Sequence, residues 1–366
     1  MNVLNGGNIE SNAEGAGNAG SVQIQAQNIV VDGNGEIFSS AEQQSSGDAG
    51  SVIVIADGQI LVINGGQIAS STFGSGNAGS VEIAAAQITL DGAGGNRATL
   101  FTSSGQEQSE GNAGIVKVTT SGDITLLNGA TIFNGSLGSG SGGSIEIEAD
   151  TLSIRSGSDI ASNAVGNVAG PVNVQTNTLV VDNSQLLTNT DSPTADGGNI
   201  SIDSNTVVLK GALIQANAIS GRGGEILIQS DAVVPSLGQL SLDTPERAIF
   251  QTDGPNIIQA VAPTGISVPA NINAPEIDVS GIITELDSNI DNTPAVTENP
   301  CAAIQAGSTS SLYEKGRGGL PLLPPATEIT NASKVWFEEY TLEDTSQLQG
   351  ADNKITLKDA HFGCSS

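Results

Sequence analysis

The residues that could carry out chemistry are few and scattered in this 366-residue chain. The densest acidic spot is Glu146, Glu148 and Asp150, and Glu146 and Glu148 would share one face of a strand. Paired carboxylates can serve acid–base cleavage of a glycan or hold a cation. We favour a solvated acidic face instead, because the basic residues that would stabilise developing charge fall in different repeats. They are Arg97, Lys117, Arg155, Lys210 and Arg222.

Metal-binding patterns are equally sparse. The single histidine, His361, is interpreted as a surface residue, and the two cysteines, Cys301 and Cys364, are too few for a zinc site. The Gly-Gly-x-Gly-x-Asp phrase of calcium-binding β-rolls does not recur at regular spacing. We therefore expect no enzyme activity, no catalytic residue, no cofactor and no metal site, with weak calcium binding by acidic turns left open.

A glycine phrase sets the framework on which all these residues lie. Gly-Asn-Ala-Gly-Ser-Val occupies 17–22 and 76–81, Gly-Asp-Ala-Gly-Ser-Val occupies 47–52, and degraded copies follow at intervals of 26 to 35 residues. A period in this range indicates a stacked repeat fold. The last glycine of each copy is Gly20, Gly50, Gly79, Gly114, Gly143, Gly170, Gly198 and Gly224.

Each repeat contains three short runs rich in Val and Ile, separated by Gly, Asn, Asp and Ser, which is typical of strands and turns. An apolar residue follows the glycine phrase in every repeat, and we expect these residues to stack as a core ladder: Val22, Val52, Val81, Val116, Ile145, Val172, Ile200 and Ile226. The third run supplies a similar row that includes Ile160, Leu187 and Ile214. The sequence thus predicts an all-β, right-handed parallel β-helix (β-solenoid) of about eight to nine coils.

The polar residues between the strands are interpreted mainly as turn formers. Glycine suits left-handed or cramped backbone at the corners. A side-chain ladder up one corner is an additional expectation for Asn18, Asp48, Asn77, Asn112 and Asn167. The insertion at 92–97 is expected to bulge from the stack as a loop that could carry binding.

Three regions follow from the periodicity: β-helix repeats at 1–233, irregular capping coils with a proline-rich linker at 234–299, and a small C-terminal β module at 300–366. Cys301 and Cys364 bracket that module, and a disulfide is the favoured pairing if the chain is exported, with free thiols in a cytosolic fragment as the alternative. The sequence starts inside a repeat without a signal peptide, so we expect the C-terminal part of a longer protein or a truncated gene.

The net charge of the chain limits the classes of partner that it can bind. Eleven Lys and Arg stand against 39 Asp and Glu, giving a net charge of −28. This balance argues against nucleic acid or an anionic membrane surface as a partner, and the absence of an 18-residue apolar run argues against a transmembrane helix. An exposed, extracellular surface fits it better.

The repeat phrase Leu127-Asn-Gly-Ala-Thr-Ile resembles the repeat region of large cyanobacterial filamentous-haemagglutinin-like proteins, which are similar to exoproteins of two-partner secretion. The tail agrees in order: Ile-Asn-Ala-Pro-Glu-Ile-Asp at 272–278, Gly-Ile-Ile-Thr-Glu-Leu at 281–286, a Cys, Gly-Arg-Gly-Gly-Leu-Pro at 316–321, a Trp and a final Cys. The resemblance implies that the full-length parent uses an outer-membrane partner transporter. The family's secretion domain, with its Asn-Pro-Asn-Gly motif, is absent from this sequence.

From these observations we expect a secreted or cell-surface structural rod, adhesin-like and non-enzymatic, with an unknown surface or glycan receptor, no nucleic acid and no membrane insertion. A β-helical protein that binds or cleaves a polysaccharide is the alternative. A non-functional gene remnant is the second alternative.

Overall fold

A computed structural model of the chain describes residues 1–95, 97–104, 109–236 and 239–274. These residues form parallel strands in three stacks, together with one short 3₁₀ helix at Ala93–Gly95. No helix within these ranges is both long and apolar enough to cross a membrane.

Stack one and stack two hold the first and second strands of each coil. Stack one contains β3 (Val22–Ala26), β6 (Val52–Ala56), β9 (Val81–Ala85) and β12 (Ile115–Thr120). Stack two contains β1 (Asn2–Leu4), β4 (Ile29–Asp32), β7 (Gln59–Ile63), β10 (Gln87–Asp91) and β13 (Asp123–Leu127). Four longer strands run through both stacks: β15 (Ser144–Arg155), β17 (Val172–Asp182), β19 (Ile200–Lys210) and β21 (Ile226–Pro235).

Stack three holds the third strand of each coil. Its members are β2 (Asn8–Ala13), β5 (Glu36–Ala41), β8 (Gln67–Thr72), β11 (Thr99–Ser104), β14 (Thr131–Ser136), β16 (Asp159–Ala161), β18 (Gln185–Leu187), β20 (Leu213–Gln215), β23 (Asn256–Gln259) and β22 (Leu240–Leu242). The last short strand, β24 (Asn271–Asn273), pairs with β21. The predicted all-β parallel β-solenoid is confirmed, with about eight turns from Val22 to Ile226. The right-handed sense of winding stays a prediction.

Stack one is aligned residue for residue. Successive strands pair in direct register through Val22, Val52, Val81, Val116, Ile145, Val172, Ile200 and Ile226. Val22 is 8% exposed, and every later member of this column is at most 1% exposed. Since a single coil cannot cover its own apolar face, each coil is buried by the coil above and below it.

Stack three builds a second apolar column with one departure from the sequence prediction. Ile160 pairs with Leu186, and Leu186 pairs with Ile214, so Leu186 is the buried member and Leu187 is not. Two adjacent leucines give no alternation of apolar and polar residues, which is the signal that fixes the facing of a strand. The prediction of Leu187 as a core residue was therefore wrong by one position.

A buried polar column lies beside this apolar one. Ser39, Ser70, Thr102 and Asn134 are each fully buried, two residues after the core aliphatic of their strand. The hydroxyl of Ser39 donates to the carbonyl oxygen of Gly20 at 3.0 Å and accepts from the amide of Gly50 at 2.9 Å. These side chains satisfy backbone groups that the stack removes from water.

The repeat glycines occupy cramped backbone. A Cβ at Gly50 would meet the carbonyl oxygen of Gly20, and one at Gly79 would meet that of Gly50. The same contact recurs up the column at Gly114, Gly143, Gly170, Gly198 and Gly224. Left-handed backbone occurs at a different corner, between stacks two and three, where Asn64 has φ 50° and the following Gly65 has φ 86°.

After β21, the described residues continue the stack only in part: β23 lies on β20 and β24 lies on β21. Residues from 275 onward fall outside the described ranges. The C-terminal β module at 300–366, the disulfide between Cys301 and Cys364, and His361 therefore remain predictions, as does the division of the chain at 233 and 299.

Candidate functional surface

The outward side of stack one carries the acidic spot that the sequence singled out. Glu146 and Glu148 are exposed, and they border a shallow groove of about 360 Å³. Its other polar lining residues are Lys117, Thr119, Asn173, Gln175, Ser201 and Asp203. They occupy equivalent positions of β12, β15, β17 and β19, because alternate residues of each strand point outward.

The three acidic residues do not converge. Glu146 lies between Lys117 and Asn173 in register, and Glu148 lies between Thr119 and Gln175. Asp150 is held by a separate partner, since the amide Nδ2 of Asn177 donates to its Oδ1 at 2.5 Å. The strand thus presents its carboxylates singly to solvent.

Three of the five basic residues of the repeats, Arg97, Arg155 and Lys210, lie within ion-pair distance of an aspartate in another coil. Asp182 lies between two of them, with Lys210 Nζ at 3.2 Å from Oδ1 and an Arg155 guanidinium nitrogen at 3.9 Å from Oδ2. At Arg222 it is the backbone amide, and not the guanidinium, that donates to Asp196 Oδ1, at 2.7 Å. Ion pairs exposed in this way add little stability but do neutralise neighbouring charge.

Asp159 in β16 has a shifted pKa. Burial raises the pKa of its carboxyl above the ordinary value, and the hydrogen bond from Thr131 and the charge of Arg97 lower it only in part. The hydroxyl of Thr131 lies 2.8 Å from Asp159 Oδ1, whereas Arg97 is 3.7 Å away with a side chain that is 68% exposed. Desolvation therefore outweighs both favourable partners.

The described residues of the insertion at 92–97 lie at the corner between stacks two and three. Its first turn is the 3₁₀ helix Ala93–Gly95, and the amide of Ala93 donates to Asp91 Oδ1 at 2.9 Å. At its end, Arg97 lies 3.7 Å from Asp159 in β16, two coils further along the stack. These contacts give the loop structural partners, and they indicate no ligand.

A side-chain ladder does run up the corner of the glycine phrase. Asn18 Oδ1 accepts from the amide of Asp48 at 2.9 Å, Asp48 Oδ1 from that of Asn77 at 2.7 Å, and Asn77 Oδ1 from that of Asn112 at 3.0 Å. Asn112 then accepts from the amide of Ser141 at 2.9 Å. Asn167 is outside the ladder, because its side chain donates to the carbonyl of Ser139 at 3.4 Å.

An aromatic face on stack three was missed by the sequence analysis. Phe38, Phe101 and Phe133 each follow a buried aliphatic residue, so they point outward, and Phe38, Ala69, Phe101 and Phe133 form one register column. Phe73 follows the end of β8, four residues beyond Ala69. Three of the seven phenylalanines of the chain therefore lie in one column, and the signal was their fixed position after the core residue.

Phe38, Phe73 and Phe101 enclose a slot of about 190 Å³. We call this the phenylalanine slot; its remaining lining residues are Glu36, Ser40, Glu42, Gln67, Ala69 and Ser71. Ala69 lies between Phe38 and Phe101 in the register column and is itself buried at the base of the slot. The slot therefore has aromatic walls, a small apolar floor and a rim that bears two carboxylates.

Within the described ranges, no three side chains of His, Cys, Asp or Glu are grouped so that they could hold a metal ion. No protein-family model, no curated protein and no solved structure matches the chain.

Proposed function

We propose that this chain is a non-enzymatic structural rod, displayed outside the cell and adhesin-like, of the kind found in the two-partner-secretion exoproteins that its sequence resembles. The observation that carries the proposal is the unbroken direct register of stack one from Val22 to Ile226. Such a stack repeats similar outward positions coil after coil, which suits many weak contacts along a surface better than one reaction centre.

The charges of the outward faces support the same function. The chain is strongly acidic, and Arg155, Lys210, Arg97 and Arg247 each lie within ion-pair distance of an aspartate. A partner that is neutral or cationic fits this surface, whereas nucleic acid does not. We also propose that the parent protein is exported through an outer-membrane partner and that Cys301 and Cys364 are joined after export.

Surface display can be tested on cells that produce the protein. Antibodies raised against residues 1–274 should label intact cells or detect the chain in the medium, and protease added outside should remove the signal while a cytosolic marker survives. Labelling only after lysis would contradict the proposal. If no chain is found in cells or medium, the gene-remnant alternative is supported instead.

The polar groove of stack one favours one alternative, a β-helical protein that binds or cleaves a polysaccharide. Cleavage by Glu146 and Glu148 would release new reducing ends from neutral or acidic glycans, and Glu146→Gln or Glu148→Gln would abolish that release. Glu82→Gln is the matched control, because Glu82 lies on the same outward row beyond Lys117. We expect no release from the unaltered chain; release that only the groove variants abolish would replace the rod function by an enzyme.

A further inference from the structure

We propose that the phenylalanine slot on stack three binds a quaternary ammonium group, carried by a small solute of the choline class. This inference deepens the display function, because it names a ligand for one outward face. It stands on the chemistry of the slot, however, and not on where the protein works.

The spacing of the slot fits a cation between two aromatic rings. Phe38 and Phe101 are two coils apart, with Ala69 between them in register. Strands stack at about 4.8 Å, so the backbones that carry Phe38 and Phe101 lie about 10 Å apart, and a group held between the two rings would sit over Ala69, which is itself 4% exposed. A cation is attracted by an aromatic ring within about 6 Å of the ring centre.

The third side and the rim complete a cage. Phe73 closes the slot beside Ser71, and Phe38, Phe73 and Phe101 are each only partly buried, so their rings remain available to a ligand. Glu42 is oriented by a neighbour, because the hydroxyl of Ser40 donates to its Oε1 at 2.7 Å. Carboxylates beside aromatic walls favour a ligand with a dispersed positive charge and an apolar surface.

Other ligand classes fit the slot less well. An anion would be repelled by Glu36 and Glu42, and no Lys or Arg is among the residues that line the slot. A neutral apolar group would desolvate those carboxylates without compensation. A sugar ring would meet phenyl walls that offer no hydrogen-bonding group, and Gln67, Ser40 and Ser71 would be its remaining neutral polar partners.

The test is a titration of the full chain with choline and with 3,3-dimethylbutan-1-ol, its neutral carbon isostere, followed by ligand-observed NMR. We expect choline to bind and the isostere to bind at least about fivefold more weakly, as the loss of a cation–π contact predicts. Equal binding of the two ligands would overturn the proposal. So would the absence of choline binding at choline concentrations up to about 10 mM.

Variants locate the binding. Phe38→Leu and Phe101→Leu keep apolar side chains but remove a ring, and each should weaken choline about threefold to tenfold. Phe133→Leu is the matched control, since Phe133 follows Phe101 in the same column but does not line the slot. A loss with Phe133→Leu equal to that with Phe101→Leu would overturn the assignment. If a phenylalanine variant fails to fold, Glu36→Gln with Glu42→Gln should weaken choline without altering the aromatic walls, and unchanged affinity would contradict the proposal.

A second arm separates a free solute from a lipid headgroup. Phosphatidylcholine vesicles present the same ammonium group on a membrane. Sedimentation of the chain with these vesicles, in the absence of free-choline binding, would contradict the small-solute assignment. Choline binding would stand even if the chain proved not to be surface-displayed, so failure of one proposal is distinguishable from failure of the other.

Discussion

The hydroxyl of Ser70 donates a hydrogen bond to the carbonyl oxygen of Gly50 at 2.8 Å. The hydroxyl oxygen of Ser70 accepts in turn from the amide of Gly79 at 2.9 Å, so Ser70 joins two glycines that stack on each other one coil apart. Asn134 repeats this bridge between Gly114 and Gly143, at 2.8 Å and 3.1 Å. The repeat glycine and the buried polar residue of stack three therefore act together. The glycine lets the backbones of successive coils approach closely, and the polar side chain hydrogen-bonds to the backbone carbonyl and amide groups of those glycines.

Ser70→Ala should destabilise the stack. Ser70 is fully buried, and its loss leaves the Gly50 carbonyl and the Gly79 amide without this partner, at a cost of about 1–3 kcal/mol. Urea unfolding followed by circular dichroism measures the difference. Ser201→Ala, on the partly exposed outward face of β19, is the control and should stay within about 0.5 kcal/mol. Equal effects of the two changes would show that the bridge does not contribute.

Gly79→Ala should be more damaging than an ordinary glycine replacement in a turn. The added methyl group would meet the backbone carbonyl of Gly50, and overpacking against backbone costs about 1–3 kcal/mol or more. Gly17→Ala is the matched control, because a Cβ at Gly17 meets no heavy atom within 4 Å. The thermal unfolding midpoint should fall clearly for Gly79→Ala alone. A tolerated Gly79→Ala would mean that the coils are not in contact at this column.

Asp159→Asn should stabilise the protein at neutral pH. The raised pKa of Asp159 means that the folded chain binds this proton more tightly than the unfolded chain does, so its contribution to stability falls as the pH rises from about 4 through the folded-state value. Asparagine keeps an oxygen that can accept from Thr131 but carries no charge.

The difference in unfolding midpoint between Asp159→Asn and the unaltered chain is the quantity to follow. It should be positive at pH 7 and should shrink toward zero below about pH 4, where the aspartate is protonated in both states. Other carboxylates titrate equally in both proteins and cancel. A variant that is less stable at pH 7 would show that the charge pair with Arg97 outweighs the cost of burial.

The fold could be predicted because glycine spacing and period-two alternation both repeat. Val52 and Val81 each follow the same phrase, and the structure pairs them directly. The prediction of which residue faces the core fails where apolar and polar residues do not alternate, as at Leu186 and Leu187. Ser70 shares the inward face of Ile68, so a polar residue in the core row was visible, but its glycine partners emerge only from the stacking of coils.

The aromatic face illustrates a different limit. Phe38 and Phe101 were each readable as outward residues, since each follows a core aliphatic. Their separation by Ala69 depends on the alignment of three coils, and the slot exists only because a small residue lies between two large ones. The sequence positions of the Lys and Arg residues were enough to show that they are dispersed over the repeats. The grouping of Arg155 and Lys210 around Asp182, by contrast, depends on the register of β15, β17 and β19.

The central claim is that successive coils lie directly on one another, and spin-label distances test it most directly. Gln25, Glu148, Gln175 and Gln229 belong to one outward row of stack one. Labels are placed at Gln25 with Gln175, and at Gln25 with Gln229, in a Cys301→Ser, Cys364→Ser background. At about 4.8 Å per coil, electron–electron double resonance should give distances near 24 Å and 34 Å, increasing in proportion to the number of coils. Distances that do not increase from the first pair to the second would contradict the stacked solenoid and the functions argued from it.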